Sequence, residues 1–196
     1  MLYLLLAVTA AFSLLARFYE PFPGDVSLIR WVQSWQHPVT TAFMEAFSLL
    51  GRSWLMIGLA GVAVPGLFIV HRRRESFAAV GTLGILALCP LLQLLVDRSR
   101  PPADLVGITD PLGGLSFPSG HAYQSLVLFG FLIYLATILV SRRWLRWSVQ
   151  AFLVFLILAI GVSRVYLGAH WPSDVLGAYL LGGFFLSLLL RRYQNQ

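Results

Sequence analysis

The sequence contains no lysine, one cysteine and few charged residues of any kind. All 14 basic side chains among its 196 residues are arginines, and charged residues make up only 11% of the chain. Since Cys89 is alone, a disulfide framework is excluded. Hydrophobic residues reach 58%, well above the share in a soluble domain. We therefore expect an integral membrane protein whose net charge of +6 reflects its loops, not a nucleic-acid-binding surface.

Six apolar runs separated by short polar connections predict six transmembrane helices. They cover residues 2–18, 54–70, 77–96, 122–140, 147–162 and 175–190. Because several are shorter than the ~20 residues of a typical span, we expect flanking residues to extend them. No basic segment precedes the first run, so we expect a membrane helix there rather than a cleaved signal peptide. Pro65 and Pro90 are expected to kink the second and third helices without ending them.

The segment between the first two runs is amphipathic and too polar to span a membrane. Its apolar residues recur three and four positions apart, in the sets Leu28, Trp31, Val32, Trp35 and Val39, Phe43, Phe47, Leu50. This spacing predicts two short helices in the membrane interface, where tryptophan is favoured. A small extramembrane cap is the alternative. The predicted fold is all-α: a single transmembrane domain over residues 1–196, with six transmembrane helices and short interfacial helices between the first two.

Arginine clusters occupy alternate connections and the carboxyl tail, at residues 72–74, 142–146 and 191–192. Because arginine-rich loops stay in the cytoplasm, both termini are predicted to be cytoplasmic, in a multi-pass protein of the cell (inner) membrane. Residues 19–53, 97–120 and 163–174 are then predicted to face the periplasm or the outside. The residues with candidate chemistry all lie in these segments.

Two arginines lie at the ends of apolar runs, where a charged side chain is costly and is usually functional. Arg100 follows the third run, and Arg164 ends the fifth. A guanidinium donates paired hydrogen bonds to phosphate oxygens and keeps its charge, so both are candidates for binding phosphate. The alternative is an arginine that reaches out to lipid headgroups, and this is the preferred interpretation of Arg98.

A short turn precedes the fourth run. Ser119 is a good helix N-cap, and Gly120 lets a ligand approach the first amides of the helix, where the dipole is positive. His121 follows at once, and its imidazole is placed to protonate a leaving oxygen. A proline–serine–glycine turn before a helix is common, so this motif alone is a weak indication of phosphate binding.

His170 and Asp174 lie four residues apart at the start of the sixth run, with Pro172 in the first helical turn. Asp174 can accept the Nδ1 proton of His170 and leave Nε2 free to attack phosphorus. The alternative is a capping aspartate beside an interfacial histidine. Arg164, six residues before His170, favours the catalytic interpretation.

These three motifs, in this order, resemble the signature of the type 2 phosphatidic acid phosphatase superfamily, from the second span to the end of the chain. The resemblance implies that His170 is the nucleophile, Asp174 its orienting carboxylate and His121 the general acid. It assigns phosphate binding to Arg100, Arg164, Ser119 and Gly120, and implies catalysis without a metal or another cofactor. The first family motif has lysine seven residues before its arginine, and Gln93 occupies that position here. Gln93 is therefore a further phosphate-binding candidate, and an inward-turned Arg98 could replace the missing charge.

The sequence thus predicts a membrane phosphatase that acts on a lipid phosphate or diphosphate through a phosphohistidine. Undecaprenyl diphosphate is the favoured substrate, while phosphatidylglycerophosphate and phosphatidic acid stay open. A lipid phosphotransferase is an alternative, as is a non-catalytic lipid-binding or transport protein of the same fold. Residues 103–117 are expected to influence headgroup choice but carry no recognisable code, and the sequence leaves the oligomeric state open.

Overall fold

The computed structural model describes residues 2–107 and 113–194, and every regular element in these two segments is an α-helix, as predicted. The nine helices are α1 (Leu2–Phe18), α2 (Asp25–Gln33), α3 (Pro38–Leu50), α4 (Ser53–Ile69), α5 (Arg73–Ala87), α6 (Cys89–Val96), α7 (Gly120–Leu139), α8 (Arg143–Tyr166) and α9 (Pro172–Gln194). The central residues 108–112 of the predicted headgroup loop lie outside the described segments.

Four apolar helical stretches of the described chain are long enough to cross a membrane. These are the combined α5–α6 segment Arg73–Val96, α7, α8 and residues Pro172–Tyr193 of α9. Helices α3 and α4 qualify only together, as a pair bent by 47°, which would make a fifth span. Helix α1 has 17 residues and is shorter than a typical span. The bundle of membrane helices is therefore confirmed, while the count of six stays a prediction.

The two short helices of the amphipathic segment behave differently. Helix α2 is a separate short helix, and the side chains of Trp31 on it and of Trp35 just after it are exposed, as expected for an interfacial helix. Helix α3 instead packs against α8, where the Phe47 ring meets Phe155 edge-on at 5.7 Å between centroids. After a turn at Gly51 the chain continues directly into α4. The prediction of a second independent interfacial helix did not foresee this continuity.

The two prolines within the apolar runs also differ in effect. Helix α4 continues through Pro65, as predicted. Near Pro90 the helix is interrupted at Leu88, and α6 begins at Cys89 with the proline in its first turn. That position suits proline because an amide there has no intrahelical acceptor. Helices α5 and α6 nevertheless form one membrane-length stretch, Arg73–Val96.

Helix α7 forms the centre of the bundle. It contacts α4, α5, α6, α8 and α9, and 56% of its apolar window is buried, against 33% for the α5–α6 span. Ala122, Tyr123 and Val127 on its first turns are completely buried. The outer faces of the surrounding helices expose large apolar side chains, which is what a hydrocarbon environment favours. The first turn of α7 is therefore held from several sides.

Small residues let two helices approach closely at the active end. A Cβ atom added to Gly177 of α9 would lie 2.1 Å from the ring of Phe117, and one added to Gly161 of α8 would lie 2.0 Å from the Tyr179 hydroxyl oxygen. The buried Phe117 ring thus occupies a notch in α9 immediately before the turn into α7. The amide of Ser119 also donates to the carbonyl of Asp174 at 3.2 Å. Together these contacts fix the start of α7 to the start of α9.

The two ends of the bundle have different chemistry. One end is formed by the α3–α4 junction, the end of α6, the start of α7, the end of α8 and the start of α9. The arginine clusters at residues 72–74, 142–146 and 191–192 lie at the connections of the other end. This separation agrees with the charge pattern from which the orientation was predicted.

We expect single cysteines at the two ends to react from opposite sides of the membrane. Asp104 and Ser141 are both exposed, one at each end. In a Cys89→Ala background, Asp104→Cys in intact cells should react with a membrane-impermeant maleimide, while Ser141→Cys should react only after the membrane is opened. The reverse result would place the active end in the cytoplasm, and labelling of both from one side would contradict the bundle topology.

Candidate active site

The motif residues from three separate stretches of sequence meet at one end of the bundle. The structure brings together Gln93 and Arg100 after α5, Ser119, Gly120 and His121 at the start of α7, Arg164 near the end of α8, and His170 and Asp174 around the start of α9. Each stretch lies at a helix terminus, where the backbone leaves regular structure. The sequence therefore identified a set of residues that are close in space.

His170 lies in the connection between α8 and α9, with 1% of its surface exposed. Its Nε2 atom is 3.1 Å from Nη1 of Arg100. A guanidinium can only donate, so Nε2 accepts this bond and the imidazole proton resides on Nδ1. The unprotonated nitrogen thus faces an arginine, and a bound anion would have to draw this guanidinium away from Nε2 before attack.

The other imidazole nitrogen is linked to Asp174 through a serine that sequence analysis missed. Nδ1 of His170 is 3.7 Å from Oδ2 of Asp174, which is too long for a hydrogen bond. The hydroxyl of Ser116 lies 3.4 Å from Nδ1 and donates to the same Oδ2 atom. The expected direct bond from His170 to Asp174 is therefore replaced by a relay through Ser116. No pattern marked Ser116, because the loop alone brings it there.

The imidazole of His170 is neutral over most of the pH range. Burial lowers the pKa of His170 to about 4, and the charges of Arg100 and Arg164 act in the same direction, while Asp174 opposes them. The group lies in a connection between helices and not within a span. A neutral imidazole keeps its Nε2 electron pair available for attack on an electrophile.

Asp174 is completely buried and has its partners within the protein. Its Oδ2 atom accepts from the amide of Trp171 at 2.9 Å, in the manner of a carboxylate in the first turn that caps its own helix. Its Oδ1 atom accepts from Nη1 of Arg98 at 2.6 Å. These bonds fix the orientation of the carboxylate.

Arg98 is not the headgroup-reaching side chain that the sequence suggested. It is 1% exposed and turns inward, where it donates to Ser173 Oγ at 2.8 Å and to Asp25 Oδ2 at 3.1 Å, in addition to Asp174. Its guanidinium also lies over the ring of Phe22 at 5.1 Å. The interpretation of Arg98 as a headgroup-reaching side chain is therefore wrong, and the inward turn that was the alternative is found. Because two carboxylates hold its guanidinium, replacement of the charge that Gln93 lacks stays a prediction.

Asp25 completes this buried group and was also missed. It is the first residue of α2 and is 3% exposed, and its carboxylate accepts from the amide and the hydroxyl of Ser173 at 3.0 and 2.6 Å. The amide of Phe22 donates to it at 3.0 Å. The only sequence signal was a carboxylate at the start of an amphipathic helix, where a capping role is the ordinary explanation.

The two phosphate-binding candidates among the arginines are anchored differently. Arg100 donates to the carbonyls of Ala169 at 2.7 Å, Leu115 at 3.1 Å and Gly114 at 3.2 Å, so its guanidinium is fixed beside His170. Arg164 is completely buried, and its Nη1 donates to the hydroxyl of Ser48 on α3. The bent α3–α4 pair therefore contributes directly to the site.

The turn before α7 has the features of an anion seat. Ser119 is the N-cap residue, but its hydroxyl does not cap the helix, and Oγ is buried with no hydrogen-bond partner in the described segments. The side-chain amide of Gln93 donates to the carbonyl of Pro118 at 3.1 Å and so stabilises the turn. A Cβ added to Gly120 would lie 3.9 Å from this Gln93 nitrogen. Whether Gln93 also contacts phosphate stays a prediction.

His121 lies between this turn and the α3–α4 junction. A Cβ added to Gly51 would lie 3.0 Å from Cδ2 of His121, so the junction packs against the imidazole. Arg164, His170, Arg100 and Arg52 are near enough for their charges to act on the His121 ring. Beside the junction is a cavity of about 460 Å³, lined by Ala42, Glu45, Ala46, Ser48, Leu49, Arg52 and Leu167.

This arrangement suits the binding of a tetrahedral oxyanion. Guanidinium groups, a buried hydroxyl and the amino end of a helix surround one uncharged imidazole nitrogen. Within the described segments, no group of three or more His, Cys, Asp or Glu side chains is placed to hold a metal ion. The protein groups themselves can bind a phosphoryl group and present a nucleophile to it.

Comparison with known proteins agrees with this chemistry. The model of the PAP2 superfamily matches residues 3–196. The decaprenylphosphoryl-5-phosphoribose phosphatase of Mycobacterium tuberculosis is 33% identical over 168 residues, which cover 81% of this chain and 85% of that protein. The undecaprenyl-diphosphatase of Sulfolobus acidocaldarius is 29% identical over 84% of this chain and 77% of its own length. The crystal structure of a transmembrane PAP2-type phosphatidylglycerolphosphate phosphatase from Bacillus subtilis has the same fold, with a TM-score of 0.84 at 20% identity over 99% of this chain and 96% of that one.

The buried Ser119 hydroxyl should contribute to anion binding and not to stability. We expect Ser119→Ala to leave the melting temperature unchanged or slightly higher, because it removes a buried hydroxyl without a partner. Orthovanadate binding, followed by calorimetry in detergent, should weaken about 10- to 100-fold, the value of one hydrogen bond to a charged group.

Ser125 provides the matched control, because its buried hydroxyl donates to the Ala122 carbonyl at 3.0 Å on the same helix. Ser125→Ala should lower stability by about 1 kcal/mol and leave vanadate affinity unchanged. Wild-type vanadate affinity in the Ser119 variant would contradict the assignment of the anion seat.

Proposed function

This chain belongs to the PAP2 superfamily, and from that premise we propose that it is an integral membrane phosphatase that hydrolyses a lipid phosphate or diphosphate through a phosphohistidine. The observation that carries the proposal is the orientation of His170. Its neutral Nε2 faces the guanidinium of Arg100, and its Nδ1 is joined to Asp174 through Ser116. An imidazole held in this tautomer is prepared for attack on a phosphorus atom bound by the arginines.

In the first step, Nε2 of His170 attacks phosphorus, and a phosphorus–nitrogen bond forms as the bond to the leaving oxygen breaks. His121 gives a proton to that oxygen. Arg100, Arg164, Ser119 and the amide of Gly120 bind the phosphoryl oxygens and disperse the charge of the transition state. Asp174 stabilises the imidazolium that develops at His170.

In the second step, water replaces the leaving group and loses a proton to His121. Its oxygen attacks phosphorus, the phosphorus–nitrogen bond breaks, and inorganic phosphate departs while His170 returns to its neutral state. The two steps conserve protons, because His121 gives one and recovers one. We propose that the protein groups named here carry the reaction without a metal ion.

A cavity beside the α3–α4 junction supports a diphosphate substrate. Because His121 protonates the leaving oxygen, the leaving group must lie on its side of the phosphoryl group, and the junction packs against His121 at Gly51. The exposed guanidinium of Arg52, the next residue along the chain, lines the cavity, and its charge acts on the His121 ring. When the leaving group is a lipid monophosphate, it carries negative charge, and Arg52 can bind it. We therefore favour undecaprenyl diphosphate over phosphatidylglycerophosphate and phosphatidic acid.

Glu45 lines the same cavity and limits where a second phosphate can bind. Its carboxylate would repel an anion, so the leaving phosphate belongs at the end of the cavity formed by Arg52 and Ser48. The opposite charges of Glu45 and Arg52 also favour one orientation of a headgroup that carries both an anion and hydroxyl groups.

We propose that this site faces the outside or the periplasm, with both termini in the cytoplasm of a cell whose inner membrane holds the protein. The support is the position of the arginine clusters at the opposite end of the bundle. The cysteine-labelling experiment above tests this orientation separately from the chemistry.

Replacement of His170 should abolish turnover and the covalent intermediate together. We expect His170→Asn to lower kcat/KM for farnesyl diphosphate at least about 1,000-fold, as for the loss of other nucleophiles, while the melting temperature stays within a few degrees. Acid-labile, base-stable radiolabel from a terminally labelled substrate should appear in the wild type after rapid quenching and disappear in the variant.

The matched control is His71→Asn at the opposite end, where an exposed histidine has a positive φ of 60° that asparagine also adopts. Its activity should be unchanged, and excess EDTA should leave wild-type activity intact. Normal turnover in the His170 variant would refute the mechanism, and a magnesium requirement would refute metal independence.

Arg52 should distinguish diphosphates from monophosphates. We expect Arg52→Gln to lower kcat/KM for farnesyl diphosphate about 10- to 100-fold, the value of a charge-assisted hydrogen bond, and to change farnesyl phosphate turnover little. The two substrates share one chain, so their ratio reports only the second phosphate. Arg146→Gln, at the opposite end, should change neither rate. Equal losses on both substrates would mean that Arg52 does not contact the leaving phosphate.

A further inference from the structure

One buried cation near the site lies between two buried anions. Arg98 donates to Oδ1 of Asp174 through Nη1, at 2.6 Å, and to Oδ2 of Asp25 through Nη2, at 3.1 Å. The side chains of Arg98 and Asp174 are fully buried, and that of Asp25 is 3% exposed. Burial keeps water from screening these charges, so the net charge of the three groups acts strongly on neighbouring side chains.

The balance of this group changes during the proposed reaction. While His170 is neutral, the two carboxylates exceed the one guanidinium by a single negative charge. When Nε2 is phosphorylated, the imidazole becomes cationic and the excess is compensated. Without Asp25, the charge of Arg98 would already neutralise that of Asp174. The imidazolium of phosphorylated His170 would then lie beside a neutral ion pair, which would not stabilise its positive charge.

We propose that Asp25 is a positioning residue for this reaction: by pairing with Arg98, it leaves the negative charge of Asp174 available to the imidazolium of His170. The inference rests on the proposed role of His170 as the nucleophile. Asp25 acts from α2, outside the three motifs, and touches neither His170 nor the phosphoryl group. Its effect reaches the imidazole through the guanidinium of Arg98 and the carboxylate of Asp174.

The other groups around His170 make this balance necessary. Arg100 from the segment after α6, Arg164 from α8 and His121 from α7 approach on the phosphate side. All three disfavour a cationic imidazole when they are charged. Ser116 and Asp174 approach from the opposite side, and only Asp174 is anionic. An excess of negative charge on the Asp174 side of His170 is therefore needed to offset the positive charges on its phosphate side.

Asp25 also has a structural role, since it binds Ser173 of α9 and the amide of Phe22. Loss of activity alone would not separate packing from charge. The direction of the shift in the pH profile separates the two. A packing defect has no reason to shift the profile one way when a negative charge is removed and the other way when a positive charge is removed.

The test is the pH dependence of kcat/KM, from pH 2.5 to 9, for a short-chain lipid diphosphate. The acid limb reports protonation of the nucleophile in the free enzyme. Asp25→Asn removes a negative charge, disfavours the imidazolium and should move this limb to lower pH. Arg98→Met removes a positive charge and should move it to higher pH. Each shift should be about half a unit to one unit, less than for a charge in direct contact.

The double variant Asp25→Asn, Arg98→Met removes one charge of each sign, and its acid limb should return close to the wild-type position. Asp25→Glu and Arg98→Lys keep the charges, so they should keep the limb even where they lower kcat. Glu75→Gln and Arg146→Met, near the opposite end, are controls that should leave the profile unchanged.

The inference would be overturned if the acid limbs of Asp25→Asn and Arg98→Met shifted in the same direction, or if neither shifted. The proposed function would still hold in that case, because it is tested by wild-type turnover and the trapped phosphohistidine. If the single variants prove too unstable to assay, the double variant and the two charge-conserving variants still decide. A displaced limb in Asp25→Glu or Arg98→Lys would then attribute the effect to packing and overturn the inference.

Discussion

The guanidinium of Arg98, held between Asp25 and Asp174, is the interaction on which the active end of this protein depends. It joins the start of α2, the segment after α6 and the start of α9, which are far apart along the chain. A buried ion pair gains little net stability, but loss of one partner strands a charge and costs about 3–5 kcal/mol. The aromatic ring of Phe22, whose centroid is 5.1 Å from the guanidinium carbon, covers the group and stacks on Phe12 of α1.

The catalytic groups follow from that anchor. Asp174 is fixed by Arg98 and by the amide of Trp171, Ser116 is fixed by Asp174, and His170 is oriented by Ser116 on one side and Arg100 on the other. Each bond removes one rotational freedom from the next side chain. The imidazole therefore keeps its orientation when substrate binds, and the bond from Arg100 to Nε2 is the one that has to be released; fixed orientation is the condition for electrostatic preorganisation.

Sequence patterns predicted the parts that depend on local spacing. The apolar runs predicted α7, α8 and α9, and the four-residue interval predicted that His170 and Asp174 lie on one side of a helix start. The roles of Asp25 and Ser116 and the carboxylate partners of Arg98 were not predictable, because each depends on a partner that only the tertiary fold supplies. The same is true of α3, whose contact with α8 is set by the Phe47 and Phe155 rings and not by its own periodicity.

The notch at Gly177 has a consequence for recognising distant relatives. The ring of Phe117 fills the space that any larger residue at Gly177 would need. In a chain with the same register, the sizes of these two residues must therefore vary inversely, a bulkier side chain on α9 accompanying a smaller one before the turn. The fold persists in the Bacillus subtilis structure at 20% identity, where sequence alone aligns residues poorly. Because the constraint is one of volume, the combined size of these two residues offers an independent check on an alignment between such distant chains.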